Sequence, residues 1–247
     1  RLGKALKEKR SDVYIFTKAG YIPTYTETKI SEQDLSYHYL LSAIDRSLNR
    51  LGTDYVDLFQ THFAPQTEED FKNIEKAFEE IKSENKAKYC GVSIGYEYEK
   101  GIELIERGLV DSLQIFFSLL DNKARTQLFP LAKKFNVGII AAEPLAQGFL
   151  TGKFSHNTTF PKNDVRSRLS KNDIENKVKR AKDFQLLLNE HRTMNQLALA
   201  YILSHEEVST CIPGVKTTEQ LKSNVSSSEI KLTLDELEEI GNIQSKW

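Results

Sequence analysis

Short β-branched or aromatic runs alternate with longer helical stretches along nearly the whole chain, and that alternation confines the fold to repeated strand–helix units around a parallel sheet. The strand-like runs are residues 13–17 (VYIFT), 55–60 (YVDLFQ), 89–94 (YCGVSI), 112–117 (SLQIFF), 137–142 (VGIIAA) and 208–212 (VSTCI). Helical spacing fills the intervals. Residues 1–9 place Leu2, Ala5 and Leu6 on one face, and 35–51 repeat Leu40, Ile44, Leu48 and Leu51. Residues 71–83 do the same with Ile74, Phe78 and Ile81, while 100–107 end at Gly108, a residue suited to a left-handed cap. Further helices are expected at 128–135, 174–190 and 194–204, around Gln220 and Asn224, and at 234–243.

No Pro/Gly-rich hinge interrupts this pattern, so residues 1–247 are expected to form a single domain. Six strands, each followed by helix, cannot close an eight-stranded barrel. The chain also opens on Arg1, directly in helical sequence. The expectation is therefore an α/β fold, a TIM-type (β/α)8 barrel, here lacking roughly its first two strands. The polar stretch 154–172 is too long for a plain connector in such a fold and is expected to act as a lid.

Composition removes several function classes. The 34 basic and 35 acidic residues leave a net charge of −1, without the basic excess that nucleic acid or an anionic membrane surface demands. No run approaches the ~20 apolar residues that span a bilayer, and no leader pattern opens the chain. The two cysteines, Cys90 and Cys211, follow no metal spacing and are expected to be inert buried thiols. A reduced cytoplasmic setting fits these features. Oligomeric state is not specified by the sequence.

Chemistry in such folds gathers at the carboxyl ends of the strands. Those positions hold Lys18, His62, Ser93, Gln114, Glu143 and Gly214. Lys18 and His62 stand just past consecutive strands, and both can polarise or exchange protons. Two later stretches suit a phosphorylated ligand: residues 144–153 (PLAQGFLTGK) and 212–216 (IPGVK), the second running into a helix N-terminus. Read alone, Lys18 also allows an aldolase-like reading with a Schiff base on its amine.

Residues 47–58 (SLNRLGTDYVDL), running on to His62, resemble the central signature of the aldo-keto reductases. The strand ending in Thr17-Lys18 resembles the one that carries that family's catalytic lysine. Residues 112–121 (SLQIFFSLLD), 144–154 (PLAQGFLTGKF) and 212–224 (IPGVKTTEQLKSN) are similar to its cofactor segments. The resemblance implies hydride transfer from NADPH to a small aldehyde or ketone, with no metal. It assigns Lys18 and His62 to catalysis, and Ser93 and Gln114 to the cofactor carboxamide. Leu145, Gln147, Gly148, Leu150, Gly152 and Lys153 match its pyrophosphate loop. Gly214, Lys216, Gln220 and Asn224 match its adenosine-phosphate site, with Lys216 on the ribose 2′-phosphate. The family's aspartate and tyrosine lie further upstream of the lysine than Arg1 does, and Tyr14, Tyr21 and Tyr25 stand in no matching motif. A non-catalytic cofactor-binding module of the same fold is the alternative. Ile94, Ala142-Glu143 and Ser223 depart from residues common in the family, and loops such as 154–172 are expected to set substrate choice.

Overall fold

A computed structural model describes residues 1–23, 31–190 and 192–247; Tyr25 lies outside them. In chain order the regular elements begin with α1 (Leu2–Leu6), β1 (Phe16–Ala19), β2 (Tyr21–Pro23), β3 (Ser31–Gln33), α2 (Tyr37–Leu51) and β4 (Val56–Thr61). Next come α3 (Glu68–Ser83), β5 (Ala87–Gly95), α4 (Tyr98–Glu106), β6 (Ser112–Phe116), α5 (Ala124–Gln127), α6 (Phe129–Lys134) and β7 (Gly138–Ala142). The chain closes with α7 (Lys171–Asp183), α8 (Met194–Leu203), β8 (Val208–Ile212), α9 (Thr218–Ser226) and α10 (Leu234–Gln244). By internal contacts it divides into two compact units, residues 1–115 with 127–139, and residues 116–126 with 140–247.

In the first unit the strands lie side by side in the order in which they are made, β1-β4-β5-β6 and the start of β7. The pairs β1–β4, β4–β5 and β5–β6 are parallel. β2 and β3 form a separate antiparallel hairpin that the sequence pattern did not announce. Strand β4 is buried along its whole length, as a central parallel strand should be. Helix α2 packs against β1 and α3 with Leu40, Ala43, Ile44 and Leu48 buried, and Gly52 ends the helix in the left-handed conformation, its amide bonded to the Leu48 carbonyl. Helix α3 starts three residues before its expected first turn because Thr67 and Asp70 cap each other's backbone amides.

β1 begins at Phe16, later than the expected residue 13, and the polar partners of the preceding segment explain the delay. The Ile15 amide donates to the Asp57 carboxylate at 2.9 Å, and the Val13 carbonyl accepts from Arg10 at 3.0 Å. Arg10 Nη2 and Lys88 Nζ each lie 2.9 Å from the same carboxylate, so Asp57, itself nearly buried, ties three segments together. Burial alone would raise the Asp57 pKa, but the bonds from Ile15, Lys88 and Arg10 outweigh it and hold the group below the usual carboxylate range. The opening helix is likewise shorter than its periodicity predicts, ending at Leu6 before a 3-10 turn at Arg10–Asp12.

Gly91 marks a close approach between β5 and β6. A Cβ there would stand 2.4 Å from Ser112 Oγ and 2.5 Å from the Ser112 carbonyl oxygen. Only a residue without a side chain permits this pairing.

In the second unit β7 neighbours β8. Its helices α7, α8 and α10 each open on a reciprocal capping box: Ser170 with Asp173, Thr193 with Gln196, and Thr233 with Glu236. Helix α8 is apolar nearly all round and correspondingly buried, from Leu197 to Ile202. Arg192 is 8% exposed; it donates to Glu236 at 2.5 Å, anchoring the turn before α8 to the start of α10. Cys90 is buried and Cys211 half-buried, and both thiols are unpaired. Burial pushes their pKa values up to about 12 and about 11, which disfavours the thiolate. Among the described residues no helix is long and apolar enough to cross a membrane.

Candidate active site

Parallel pairing places Lys18 and His62 at the same end of neighbouring strands. Lys18 is registered with Gln60 and Ala19 with Thr61, so His62 is the first residue beyond the ladder. Its amide donates to the Ala19 carbonyl at 2.7 Å, which fixes its backbone against β1. The imidazole rests on Phe63 (ring centroids 5.3 Å) and Tyr21 (5.7 Å).

Both groups are biased toward their neutral forms. Lys18 is half-buried, and loss of water pulls its pKa below that of a free lysine. His62 keeps an exposed edge, yet desolvation of the ring lowers its pKa, and the nearby positive charge of Lys18 lowers it further. Both effects favour the neutral imidazole, which can donate from one ring nitrogen and accept at the other.

One strand further along, Ser93 and Gln114 are registered partners of β5 and β6, and Gln114 Nε2 donates to Ser93 Oγ at 3.3 Å. A hydroxyl and a primary amide held together offer paired donors and acceptors, the complement of a carboxamide. Ile94 lies on the other face of β5: its Cδ1 would be 2.6 Å from a Cβ on Gly101 of α4. It packs against that helix rather than standing beside Ser93.

A polar row that sequence reasoning missed runs across this sheet, registered as Lys18, Gln60, Gly91 and Ser112. Gln60 Nε2 and Ser112 Oγ are buried, and neither has a hydrogen-bond partner among the described residues. The only sequence signal was a glutamine in a strand that is otherwise apolar save for Asp57 and Thr61.

The second unit contains a cleft of about 600 Å³ between the segments that follow β7 and β8. Leu145, Gln147, Gly148, Lys153, Gly214, Lys216, Gln220 and Asn224, which lie in the two motifs, all line it. Leu150 and Gly152 do not: Leu150 is fully buried beneath the loop, and Gly152 makes its closing turn at φ 75°. Pro144, Thr151, Asn195, Ile212 and Val215 join the lining without having been singled out, and Glu143 contributes a carboxylate. Asn195 comes from the first turn of α8, far away in sequence, which no local motif could reveal.

The loop after β7 is unusually bent. Glu143, Ala146, Gln147 and Gly148 all have positive φ, between 48° and 94°. Gln147 Nε2 donates to Glu143 Oε1 at 3.2 Å, while Gln147 Oε1 is buried with no partner among the described residues. Across the cleft, Thr217 caps α9 by accepting from the Gln220 amide, and Gln220 Oε1 in turn accepts from the Lys216 amide at 2.8 Å. Lys153 and Lys216 bring two cations to the lining against the single carboxylate of Glu143. A concave surface with two lysines, bent backbone and a helix N-terminus suits a phosphorylated ligand.

The first unit thus carries a lysine–histidine pair at the carboxyl ends of parallel strands, and the second a cleft lined by two lysines, both consistent with an α/β enzyme. Residues 1–245 match the model of the aldo/keto reductase family, and the chain belongs to that family. It is an oxidoreductase whose family fold is the (β/α)8 barrel. Among relatives, the aldo-keto reductase yakc [NADP(+)] of Schizosaccharomyces pombe is 28% identical over 97% of this chain and 72% of its own length. The NADH-specific methylglyoxal reductase of Escherichia coli is 26% identical over 94% of this chain and 74% of its own. In structure, the aldo-keto reductase AKR11C1 of Bacillus halodurans (holo form) superposes with a TM-score of 0.79 at 29% identity, covering 98% of this chain and 76% of that one.

Proposed function

We propose that residues 1–247 act as one barrel domain that reduces the carbonyl of a small aldehyde or ketone with NADPH, in the cytoplasm. The observation that carries this reading is the placement of Lys18 and His62 at the ends of adjacent parallel strands. A bound dihydronicotinamide supplies the hydride. The neutral imidazole of His62 would donate a hydrogen bond to the carbonyl oxygen and orient it, and the ammonium of Lys18 would stabilise the negative charge that grows there and assist delivery of the proton, drawn from solvent, that turns the alkoxide into the alcohol. Ser93 and Gln114 hold the carboxamide of the cofactor. The loop from Leu145 to Lys153 and the segment containing Gly214, Lys216, Gln220 and Asn224 take its phosphates, with Leu150 and Gly152 shaping the loop from beneath.

The names of the two relatives divide between NADP(+) and NADH. Lys216 favours the phosphorylated cofactor because a flexible ammonium beside a helix N-terminus is a strong phosphate partner.

Quenching of protein fluorescence by NADPH and by NADH tests the cofactor reading. We expect NADPH to bind at least about tenfold more tightly, and Lys216→Ala to abolish most of that preference, since loss of one charge-assisted contact is worth about 1.5–3 kcal/mol. Equal affinities would remove NADPH from the proposal, and no binding of either would sink it. Cofactor binding without turnover of any aldehyde or ketone would favour the non-catalytic module instead. Borohydride trapping of an adduct on Lys18 would redirect it to Schiff-base chemistry.

A further inference from the structure

The segment 154–169 returns to the rim of the cleft and packs there through three rings. Phe149 and Phe154 lie 5.1 Å apart, Phe154 and Phe160 5.3 Å, and Phe149 and Phe160 6.2 Å between centroids. Arg166 sits on this cluster, its guanidinium 4.4 Å from the Phe160 ring and 5.3 Å from that of Phe154. Nε and Nη2 donate to the two oxygens of Asp164 at 2.8 and 2.6 Å. Nη1 donates in a third direction, to the Gln147 carbonyl at 3.0 Å.

That carbonyl belongs to the bent stretch lining the cleft. Gln147 has φ 58°, a left-handed conformation that a residue with a Cβ seldom holds unaided. Gly148 follows at φ 94°, and a Cβ on it would come 3.3 Å from the Phe154 ring and 3.6 Å from Arg166 Nη1. The bend and the returning segment are thus fitted to each other through one guanidinium.

We infer that Arg166 is a positioning residue: it holds the Gln147–Gly148 bend in its ligand-binding shape and fastens residues 154–169 over the same wall of the cleft. The inference rests on the reading of this cleft as the phosphate end of the cofactor site. Direct attraction of phosphate accounts poorly for Arg166, because Asp164 already occupies its fork and offsets its charge. Asp164 is held well below the usual carboxylate range by Arg166 first and, to a smaller extent, by the charge of Lys216, the cation assigned to the 2′-phosphate.

The two roles predict opposite signs in one set of variants of the full chain: Arg166→Met, Arg166→Lys and Asp164→Asn. Three quantities are measured: NADPH affinity, the rate of NADPH release by stopped flow, and tryptic cleavage after Lys162 and Arg168 without cofactor. For a positioning role, Arg166→Met speeds both cleavage and release about tenfold while association changes little. Arg166→Lys restores little, because an ammonium has no fork. Asp164→Asn also weakens binding, although it removes a negative charge near Lys216. If Arg166→Lys restores affinity and Asp164→Asn tightens binding, Arg166 touches phosphate directly and the inference is overturned. Unchanged cleavage in Arg166→Met overturns the fastening. Should the unaltered protein bind neither NADPH nor NADH, the cofactor reading falls and takes the affinity role with it, while the cleavage rates still decide whether Arg166 fastens the segment.

Discussion

Replacing Asp57 with alanine tests the logic of the first unit. Its carboxylate accepts from the Ile15 amide, Arg10 and Lys88, each at 2.9 Å, and only 4% of the side chain is exposed. The substitution orphans a buried backbone amide, a loss of about 1–3 kcal/mol. Arg10 retains the Val13 and Tyr55 carbonyls and the Thr53 hydroxyl as acceptors, so its share is about 1 kcal/mol. Lys88 is half-exposed and adds a few tenths at most. The total is about 3 kcal/mol, which for a chain of this size lowers the thermal midpoint by roughly 6–12 °C. Asp57→Asn keeps an acceptor for the Ile15 amide and should lose about half as much.

The pH dependence follows from the sign of the shift. Because the folded-state pKa of Asp57 is depressed, its contribution is complete above the unfolded value of about 3.9 and disappears as pH falls through the lower folded value. The gap between the unaltered protein and Asp57→Ala should therefore be constant from pH 5 to 7 and narrow below about pH 4. Circular dichroism melts across that range supply the measurement. A midpoint within 2 °C of the unaltered protein at pH 7, or a gap that widens in acid, would refute the reasoning.

Three further outcomes are expected. His62 should titrate by NMR below the ordinary histidine value of about 6.5, and Lys18→Met should raise its midpoint, because removing the neighbouring charge leaves only desolvation; an unchanged or lower midpoint would contradict this. Gly91→Ala should cost more than about 2 kcal/mol in urea unfolding, since its Cβ meets backbone that cannot rotate away; a neutral effect would show that β5 and β6 can separate. Glu236→Gln should destabilise by about 2–4 kcal/mol by stranding the buried Arg192, and since the Glu236 pKa is depressed chiefly by that arginine, the loss should shrink as pH falls below about 4.

The larger strands and helices were legible because their periodicity coincides with burial: Ile74, Phe78 and Ile81 predicted the inner face of α3, and every residue of β4 is buried. Boundaries failed where side chains replaced the ladder, as at Ile15, whose amide serves Asp57 instead of a neighbouring strand. The hairpin of β2 and β3 was invisible because its strands are three residues long, too short for alternation to register. Most of the phosphate-type cleft could be read from contiguous motifs, since each motif supplies neighbouring lining residues. Asn195 could not, because α8 brings it in from a distant segment, and in the first unit neither could the row of Gln60 and Ser112, which only strand register brings together. Arg166 was equally hidden, its significance lying in the Gln147 carbonyl nineteen positions back in the chain.

The agreement between strand order and chain order in the first unit bears on how the chain leaves the ribosome. Once β1 and β4 are out, each later strand down to β6 emerges beside an edge that the preceding strand has just provided, with one helix between to cover it. No strand of that run waits for a partner yet to be synthesised, so the growing sheet offers one fresh edge at a time. Assembly can therefore keep pace with translation at about 5–20 residues per second. The hairpin between β1 and β4 and the self-capped start of α3 require no later strand either. Synonymous codon changes that slow translation within residues 56–116 should consequently leave the yield of folded first unit unchanged.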